Sequence, residues 1–258
     1  MQQRVDKELV EQRFLKSMNS YDQNAFVQKK MASILIEKLA DISHEDRYKN
    51  VLEIGCGTGL LTKEILERKR IDNYFLNDIV NECNKLIPLL KKKYTETNFQ
   101  FIHSDAEKLN KLSIPLDLII SNAVFQWLNN LDSFFKSLYC RLTDNGYLVF
   151  STFGKNNLNE INVIEKCSLM YYDIMEIKSL TEKYFHILHC SEDSIELLFD
   201  SPREALNHLK NTGTKGLKKE TWNKRRLEEF ESEYNSLFRK NNKVTLTFNP
   251  IYIIAKRK

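Results

Sequence analysis

Glu53-Ile54-Gly55-Cys56-Gly57-Thr58-Gly59 is the stretch on which the reading of this chain turns. It continues a short apolar run, Val51-Leu52-Glu53-Ile54, and precedes a helical pattern that reaches Leu66. Glycines between a strand and a helix permit a tight turn and let a ligand lie against the backbone. In an open parallel sheet this is also where ligands bind, beyond the carboxyl ends of the strands and at a switch in their order. The stretch therefore predicts a loop for a nucleotide-type cofactor.

Outward from the loop, short apolar runs at residues 74–77, 99–103, 116–121 and 147–150 read as strands, with helical patterns at 80–93 and 131–142 between them. Such alternation predicts a parallel sheet covered on both faces. Ahead of it, residues 6–16 form one amphipathic pattern, and Phe26, Val27, Met31, Ile34, Leu35 and Leu39 fall at the spacing of a second. Ser20-Tyr21-Asp22 between them reads as a break with an N-cap. Behind the core, residues 157–185 read as largely helical, 194–199 as a strand, 202–211 and 219–238 as helices, and 243–256 as one long strand. Pro250 marks an edge, a bulge or a bend in that strand. The expected fold class is α/β, Rossmann-like, in one domain spanning residues 1–258. Its core is residues 45–155, and elements at 1–40, 157–185 and 202–238 cover the active-site side.

Composition removes several classes. The hydrophobic share of 42% and charged share of 29% are those of an ordinary globular chain. No apolar N-terminal run follows a positive segment, and no apolar stretch approaches the roughly 18 residues of a membrane span, so a cytoplasmic protein with no membrane partner is expected. The five cysteines show no CxxC or Cys/His ligand spacing, which predicts reduced thiols and no metal site. Cys56 is expected to be a small packing residue rather than a nucleophile. Residues 201–258 carry fourteen Lys/Arg against six Asp/Glu, leaving the rest of the chain net negative. That asymmetry reads either as a surface for an acidic partner or as a solvated lysine-rich face.

The carboxylates narrow the cofactor. The glycine spacing differs from G-x-G-x-x-G, which would place a glycine where Leu60 stands. Glu53, just before the turn, would oppose a pyrophosphate but suits a cationic sulfonium amino acid. Asp78 ends the second strand 19 residues after Gly59, the place for a carboxylate accepting from ribose hydroxyls. Asp105-Ala106 follows the third strand, where a carboxylate can accept from an adenine amino group. Singly, each Asp could be a loop cap and Glu53 a structural carboxylate; together they point to S-adenosyl-L-methionine.

This pattern resembles the class I methyltransferase family over residues 45–155. The resemblance implies a mostly parallel seven-stranded sheet and S-adenosyl-L-methionine as cofactor, with S-adenosyl-L-homocysteine as product. It places Glu53, Gly55, Cys56, Gly57, Thr58 and Gly59 around the methionine moiety. Asp78 and Ile79 fall at the ribose, Asp105 and Ala106 at adenine, and Asn122 on the sulfonium side.

Further segments resemble one subfamily: Ser17-Met18-Asn19-Ser20-Tyr21-Asp22-Gln23, Ser121-Asn122-Ala123-Val124-Phe125-Gln126-Trp127, Phe150-Ser151-Thr152-Phe153-Gly154, the run from Ser201 to Gly213, and Leu246-Thr247-Phe248-Asn249. The set is similar to the malonyl-(acyl-carrier protein) O-methyltransferase family, which opens pimeloyl synthesis for biotin. It implies a partner, acyl carrier protein bearing malonyl-phosphopantetheine, and methyl esterification of the free malonyl carboxylate. Under that resemblance Tyr21 closes over the methionine end, and Gln126 and Trp127 shape the acyl pocket beside the transferred methyl. Lys210 pairs with the malonyl carboxylate or a phosphopantetheine phosphate. Lys215, Lys218, Lys219, Lys224, Arg225 and Arg226 steer the acidic carrier. Core packing for Trp127 and a surface lysine for Lys210 stay open as plain alternatives. Thr247-Phe248-Asn249 departs from the family's Thr-Tyr-His, which puts a substrate contact by that strand in doubt.

The chemistry agrees with the residues. A malonyl carboxylate is already ionised near neutral pH, so the protein must mainly align oxygen, methyl and sulfur and exclude water. Two other readings stand beside this one. A related enzyme would methylate a free small carboxylic acid; an RNA-directed methyltransferase or a non-catalytic S-adenosyl-L-methionine binder would be of another class. No nucleic-acid-binding signature accompanies the lysines, so no nucleic-acid partner is expected. The fourth strand ends Ser121-Asn122-Ala123-Val124, not in the Asn-Pro-Pro-aromatic of many amino-group methyltransferases.

Overall fold

The computed structural model describes residues 4–109, 112, 114–165, 171–213 and 222–258. Asp6 caps the first helix, α1 (Lys7–Asn24), by accepting from the Leu9 N–H. The expected break at Ser20-Tyr21-Asp22 is absent: the Ser20 hydroxyl donates back to the Ser17 carbonyl at 3.0 Å instead of capping a new helix. The chain turns at Ala25, and α2 (Phe26–Ile42) follows.

The central layer then alternates as expected. It runs β1 (Arg47–Ile54), α3 (Leu60–Leu66), β2 (Arg70–Asp78), α4 (Leu86–Lys93), β3 (Asn98–His103), β4 (Leu116–Asn122), α5 (Leu131–Tyr139) and β5 (Leu142–Phe153). Next come α6 (Asn159–Glu165), α7 (Ile174–Glu182), β6 (Phe185–Glu192), β7 (Ile195–Phe199), α8 (Pro202–Asn211), α9 (Lys224–Phe238), β8 (Arg239–Lys240), β9 (Lys243–Phe248) and β10 (Pro250–Arg257).

The main sheet has seven strands in the order β3-β2-β1-β4-β5-β10-β6. Pairs among β1 to β5 are parallel, and β10 is antiparallel to both of its neighbours. Order reverses between β1 and β4, which places the ligand crevice beyond Ile54 and Asn122. Both faces are buried, which explains the unbroken apolar run Leu118-Ile119-Ile120. Val51 and Ile120 face a cluster with Met31 and Leu35 of α2, whereas Leu52 and Ile119 face Phe134 and Phe135 of α5.

Two expectations for the second half are corrected. Residues 243–256 are not one strand: β9 joins a second sheet in the order β7-β9-β8, and Asn249 carries the chain round into β10 of the main sheet. Its side-chain amide donates to the Asp193 carbonyl at 2.9 Å and its Oδ1 accepts from the Asn156 N–H, fixing that corner. Pro250 opens β10, where a strand tolerates it. Nor do residues 157–185 all cover the crevice. Ile177 of α7 packs in the α5 cluster on the opposite face, and β6, not foreseen in the sequence, fills the sheet edge.

Candidate active site

The loop after β1 sits in the crevice. Gly55 and Cys56 donate their N–H groups to the Asn77 carbonyl, at 2.8 and 2.9 Å, so the turn is fastened to the end of β2. Gly55 has φ +70°, and a Cβ there would lie 2.3 Å from Val124 Cγ2. Only glycine meets both conditions. Gly59 also has a positive φ, but it caps α3 against Leu86 and is not in the cavity wall. Its visible contribution is to the turn and the start of α3. Cys56 is buried, and a hydrogen bond with Cys83 together with burial raises its thiol pKa well above the usual value. That agrees with packing rather than nucleophilic chemistry.

A cavity of about 1060 Å³, its open mouth included, lies over this loop. Glu53, Gly55, Cys56, Gly57, Thr58, Asp78, Ile79, Asp105, Ala106 and Asn122 all line it. Glu53 is fully buried; its Oε2 accepts from Thr62 Oγ1 at 2.8 Å and from the Tyr74 hydroxyl at 2.6 Å, while Oε1 has no partner among the described residues. Burial outweighs those two bonds and pushes its pKa up to about 7. An unpaired buried carboxylate oxygen is destabilising by roughly 1–3 kcal/mol or more, and a cationic ligand group would relieve it. Asp78 accepts from the Gly57 N–H at 2.8 Å and the Val80 N–H at 2.9 Å, and burial raises its pKa despite them. Asp105 caps the short turn Ala106–Lys108 and accepts from Lys7 Nζ at 2.7 Å. The capping and cavity-lining readings of Asp105 therefore hold together.

At the end of β4, Asn122 spends its amide inside the protein: Nδ2 donates to the Gln28 carbonyl at 3.0 Å and Oδ1 accepts from Ser151 Oγ at 2.6 Å. Ala123 follows with φ +56°, an uncommon conformation for a residue with a Cβ. Gln126 donates to the Ala123 carbonyl at 2.6 Å and accepts from Thr152 Oγ1 at 3.1 Å, which steadies that turn. Gln126 and Trp127 both line the cavity, and Trp127 is half-buried rather than a core residue.

The roof comes from α1. Lys7, Val10, Phe14 and Tyr21 present one helical face to the cavity. Tyr21 meets Phe14 edge-on at 5.0 Å, and Asp22 accepts from Thr58 Oγ1 at 2.6 Å, tying roof to loop. Burial, with Asp22 and Asp78 nearby, raises the Tyr21 pKa, so it is a neutral donor at physiological pH. Lys7 Nζ also reaches Glu107 at 2.7 Å. Burial pushes Glu107 up, but Lys7 and the N–H groups of Asn129 and Asn130 outweigh it and hold the carboxyl below its usual pKa. Thr212 and Gly213, just past α8, close the cavity against α1, where the Ser20 hydroxyl donates to the Asn211 carbonyl at 3.2 Å.

Comparison with known proteins bears on this geometry directly. Residues 24–209 match a family model described as a methyltransferase domain. Malonyl-(acyl-carrier protein) O-methyltransferase of Chlorobium luteolum is 35% identical, the match covering 98% of this chain and 97% of the relative. The protein of that name from Bacteroides helcogenes is 36% identical over 98% of this chain and its own whole length. The chain belongs to this methyltransferase family. Among solved structures, the YcgJ protein of Bacillus subtilis superposes with a TM-score of 0.63 at 12% identity, over 87% of this chain and 97% of its own. N-methyltransferase NodS of Bradyrhizobium japonicum, in complex with S-adenosyl-L-homocysteine, gives 0.52 at 10%, over 93% of this chain and 98% of NodS. Such distant likeness shows the fold alone.

Within this methyltransferase, some expected contacts fall elsewhere. Lys210 is exposed on α8 and is not in the cavity wall. Phe248 is in the core, 6.0 Å from the ring of Phe153 and 6.1 Å from that of His208, and Asn249 holds the corner between the sheets. Neither lines the cavity, so the Thr247-Phe248-Asn249 departure alters packing rather than a cavity contact. Lys215, Lys218 and Lys219 lie outside the described residues. Lys224, Arg225 and Arg226 open α9, paired with Glu228, Glu229 and Glu165. Lys7, Phe14 and Gln28 were not anticipated. Lys7 reads as an ordinary surface charge, Phe14 as core, and Gln28 as a polar residue interrupting an apolar stripe; that interruption is the signal available in the sequence.

Proposed function

We propose that this methyltransferase transfers the methyl group of S-adenosyl-L-methionine to the free carboxylate of malonyl-acyl carrier protein, priming pimeloyl synthesis for biotin, and does so in the cavity beyond β1 and β4. The observation that carries the reading is the division of charge along that cavity. Glu53, Asp78, Asp105 and Lys7 gather on the side of β1, β2 and β3. Toward β4 and α8 the wall is Gln126, Trp127, Leu128, Phe153, Thr212 and Gly213, among which no side chain titrates near neutrality. An acceptor that arrives already ionised needs no base there.

The cofactor supplies a methyl group on a positively charged sulfur. The orphaned Oε1 of Glu53 and the bare turn at Gly55 fit its amino-acid end. Asp78, at the end of β2, accepts from the ribose hydroxyls, and Asp105 with Ala106 meets adenine. Tyr21 remains protonated and covers the methionine end. Gln126 and Trp127 border the path of the incoming carboxylate; a weakly hydrogen-bonding wall leaves its oxygen nucleophilic. Esterification removes a charge that an apolar elongation pocket would reject. Lys224 and Arg225, highly exposed at the start of α9, give an acidic carrier a docking point beside α8.

The test is methyl transfer from labelled S-adenosyl-L-methionine to malonyl-acyl carrier protein, malonyl-CoA and free malonate, with the ester identified by mass. Preferred turnover of the carrier-bound substrate is expected. Preference for a free acid, with indifference to the carrier, would overturn the acceptor assignment while leaving the cofactor assignment standing.

A further inference from the structure

Two buried acceptor atoms in this cavity wall have no partner among the described residues: Glu53 Oε1 and Gln28 Oε1. Gln28 is only 2% exposed and stands on the face of α2 that otherwise buries Val27, Met31 and Leu35 against the sheet. Buried side-chain polar atoms are hydrogen-bonded in the large majority of cases, so one left open in a binding cavity calls for an explanation.

The two atoms belong to one side of the sheet. Glu53 is level with Ile120 in the parallel β1–β4 ladder, and Asn122 lies two residues further along β4, so all three project to the same face. That is the face α2 covers. Asn122 then ties Gln28 to this spot, its Nδ2 donating to the Gln28 carbonyl while Ser151 holds its Oδ1. The sheet end thus positions the main chain of Gln28, while its Oε1 has no partner among the described residues. An anionic group there would meet the carboxylate of Glu53 and be repelled. Two open acceptors in one cavity wall, one of them charged, suit a group with several N–H donors and a positive charge.

We infer that Gln28 and Glu53 together hold the α-ammonium group at the methionine end of the cofactor, Gln28 as the neutral acceptor beside the charged one. The inference rests on the S-adenosyl-L-methionine reading and adds a binding residue to it. It also makes Asn122 a positioning residue, acting on the cofactor through α2. The raised pKa of Glu53 agrees, since a carboxylate that lacks its cation is held toward the neutral form.

Calorimetric titration of the full chain with S-adenosyl-L-homocysteine and with its deaminated analogue, which keeps the carboxylate, tests this without turnover. Wild type is expected to prefer the amine. Gln28→Met, similar in length and without an acceptor, should lose about tenfold in affinity for S-adenosyl-L-homocysteine, equivalent to about 1.4 kcal/mol, and little for the deaminated analogue. Gln28→Glu keeps an acceptor and should retain the preference, which guards against misfolding of the methionine variant. Equal weakening of both ligands by Gln28→Met, or loss of the preference in Gln28→Glu as well, would overturn the assignment. So would a Gln28→Met protein that is less stable yet discriminates like wild type, since Gln28 would then serve Glu53 internally. Failure of wild type to bind S-adenosyl-L-homocysteine at all would instead remove the cofactor reading on which the inference rests.

Discussion

The floor and the roof of the cavity are built in different ways. The floor, from the ends of β1, β2 and β3, is backbone geometry with a few short carboxylates: the turn at Gly55 is fastened to Asn77, and Asp78 to Gly57. The roof comes from segments remote in sequence, with Lys7, Phe14 and Tyr21 of α1 and Thr212 and Gly213 after α8 lining the cavity together. Floor contacts are local or fixed by strand register. Roof contacts span large separations, such as Ser20 to Asn211, and depend on helix ends and ion pairs. Under the proposed function, the floor is the part that serves the cofactor. Under the same proposal, a roof assembled from separable pieces can admit a bulky acceptor.

The sharpest way to break this division is at the floor. Gly55→Ala adds a Cβ 2.3 Å from Val124 in a left-handed backbone conformation. The conformational strain alone is about 1–3 kcal/mol, and the turn must also shift away from Val124. Thermal unfolding should fall by several degrees and S-adenosyl-L-homocysteine binding by more than about tenfold. A variant that binds normally would show that the turn at Gly55 does not shape the cofactor site.

Glu53 gives the next largest effect, and one with a defined sign. Its folded-state pKa is about 7 against an ordinary 4.5. Folding therefore favours the protonated form: the stability present below pH 4.5 is lost as pH rises toward 7, by about 3 kcal/mol in all, and changes little above. Tyr74, Thr62, Asp78 and Cys56 are the groups facing it. Glu53→Gln should flatten that slope and make the unliganded protein more stable than wild type at pH 8, while binding S-adenosyl-L-homocysteine less well. Unfolding curves at pH 5 and 8 decide it; parallel slopes would mean the carboxyl is solvated.

How much of this was legible follows the same divide. The floor could be read because strand-end carboxylates and turn glycines lie at fixed spacings from the strands that carry them. Glu53, Gly55, Asp78 and Asp105 all line the cavity accordingly. Gly59 stands outside the cavity wall, capping α3 against Leu86. The roof was harder. Ser20-Tyr21-Asp22 has the composition of a cap, yet Ser20 and Asp22 bond to Asn211 and Thr58, partners that only the tertiary fold supplies. The β9–β10 corner was hidden because apolar residues continue on both sides of Asn249-Pro250. Nothing in a single strand pattern states that its two halves enter different sheets.

At the roof's edge, Lys7 holds α1 to the loop after β3 through Asp105 and Glu107. The pair is partly buried, each side chain less than one-fifth exposed, so its loss exceeds that of a surface ion pair. Lys7→Met leaves two neighbouring carboxylates without their shared cation. The expected result is a few-fold faster release of S-adenosyl-L-homocysteine in stopped-flow measurements, with a modest fall in melting temperature. Unchanged release would mean that α1 is held by Phe14 and Tyr21 alone and that the latch is incidental.

The smallest effect belongs to Lys210, and it probes the boundary between the two regions. The residue is exposed on α8, three positions before Gly213 at the cavity mouth, so it cannot serve the floor without a rearrangement of that helix. Its charge can still act on an acidic carrier over the Debye length of about 8 Å at physiological salt. Lys210→Ala should leave S-adenosyl-L-homocysteine affinity unchanged and raise KM for malonyl-acyl carrier protein about two- to fivefold, the increase fading as salt is added, since a rim charge acts mainly on encounter. Asp78→Ala is the mirror case, weakening the cofactor with little change in carrier dependence. A Lys210→Ala protein that lost cofactor affinity as Asp78→Ala does would erase the distinction between floor and roof. A KM increase that survives high salt would place the lysine in direct contact with bound substrate, which requires α8 to move when the carrier docks.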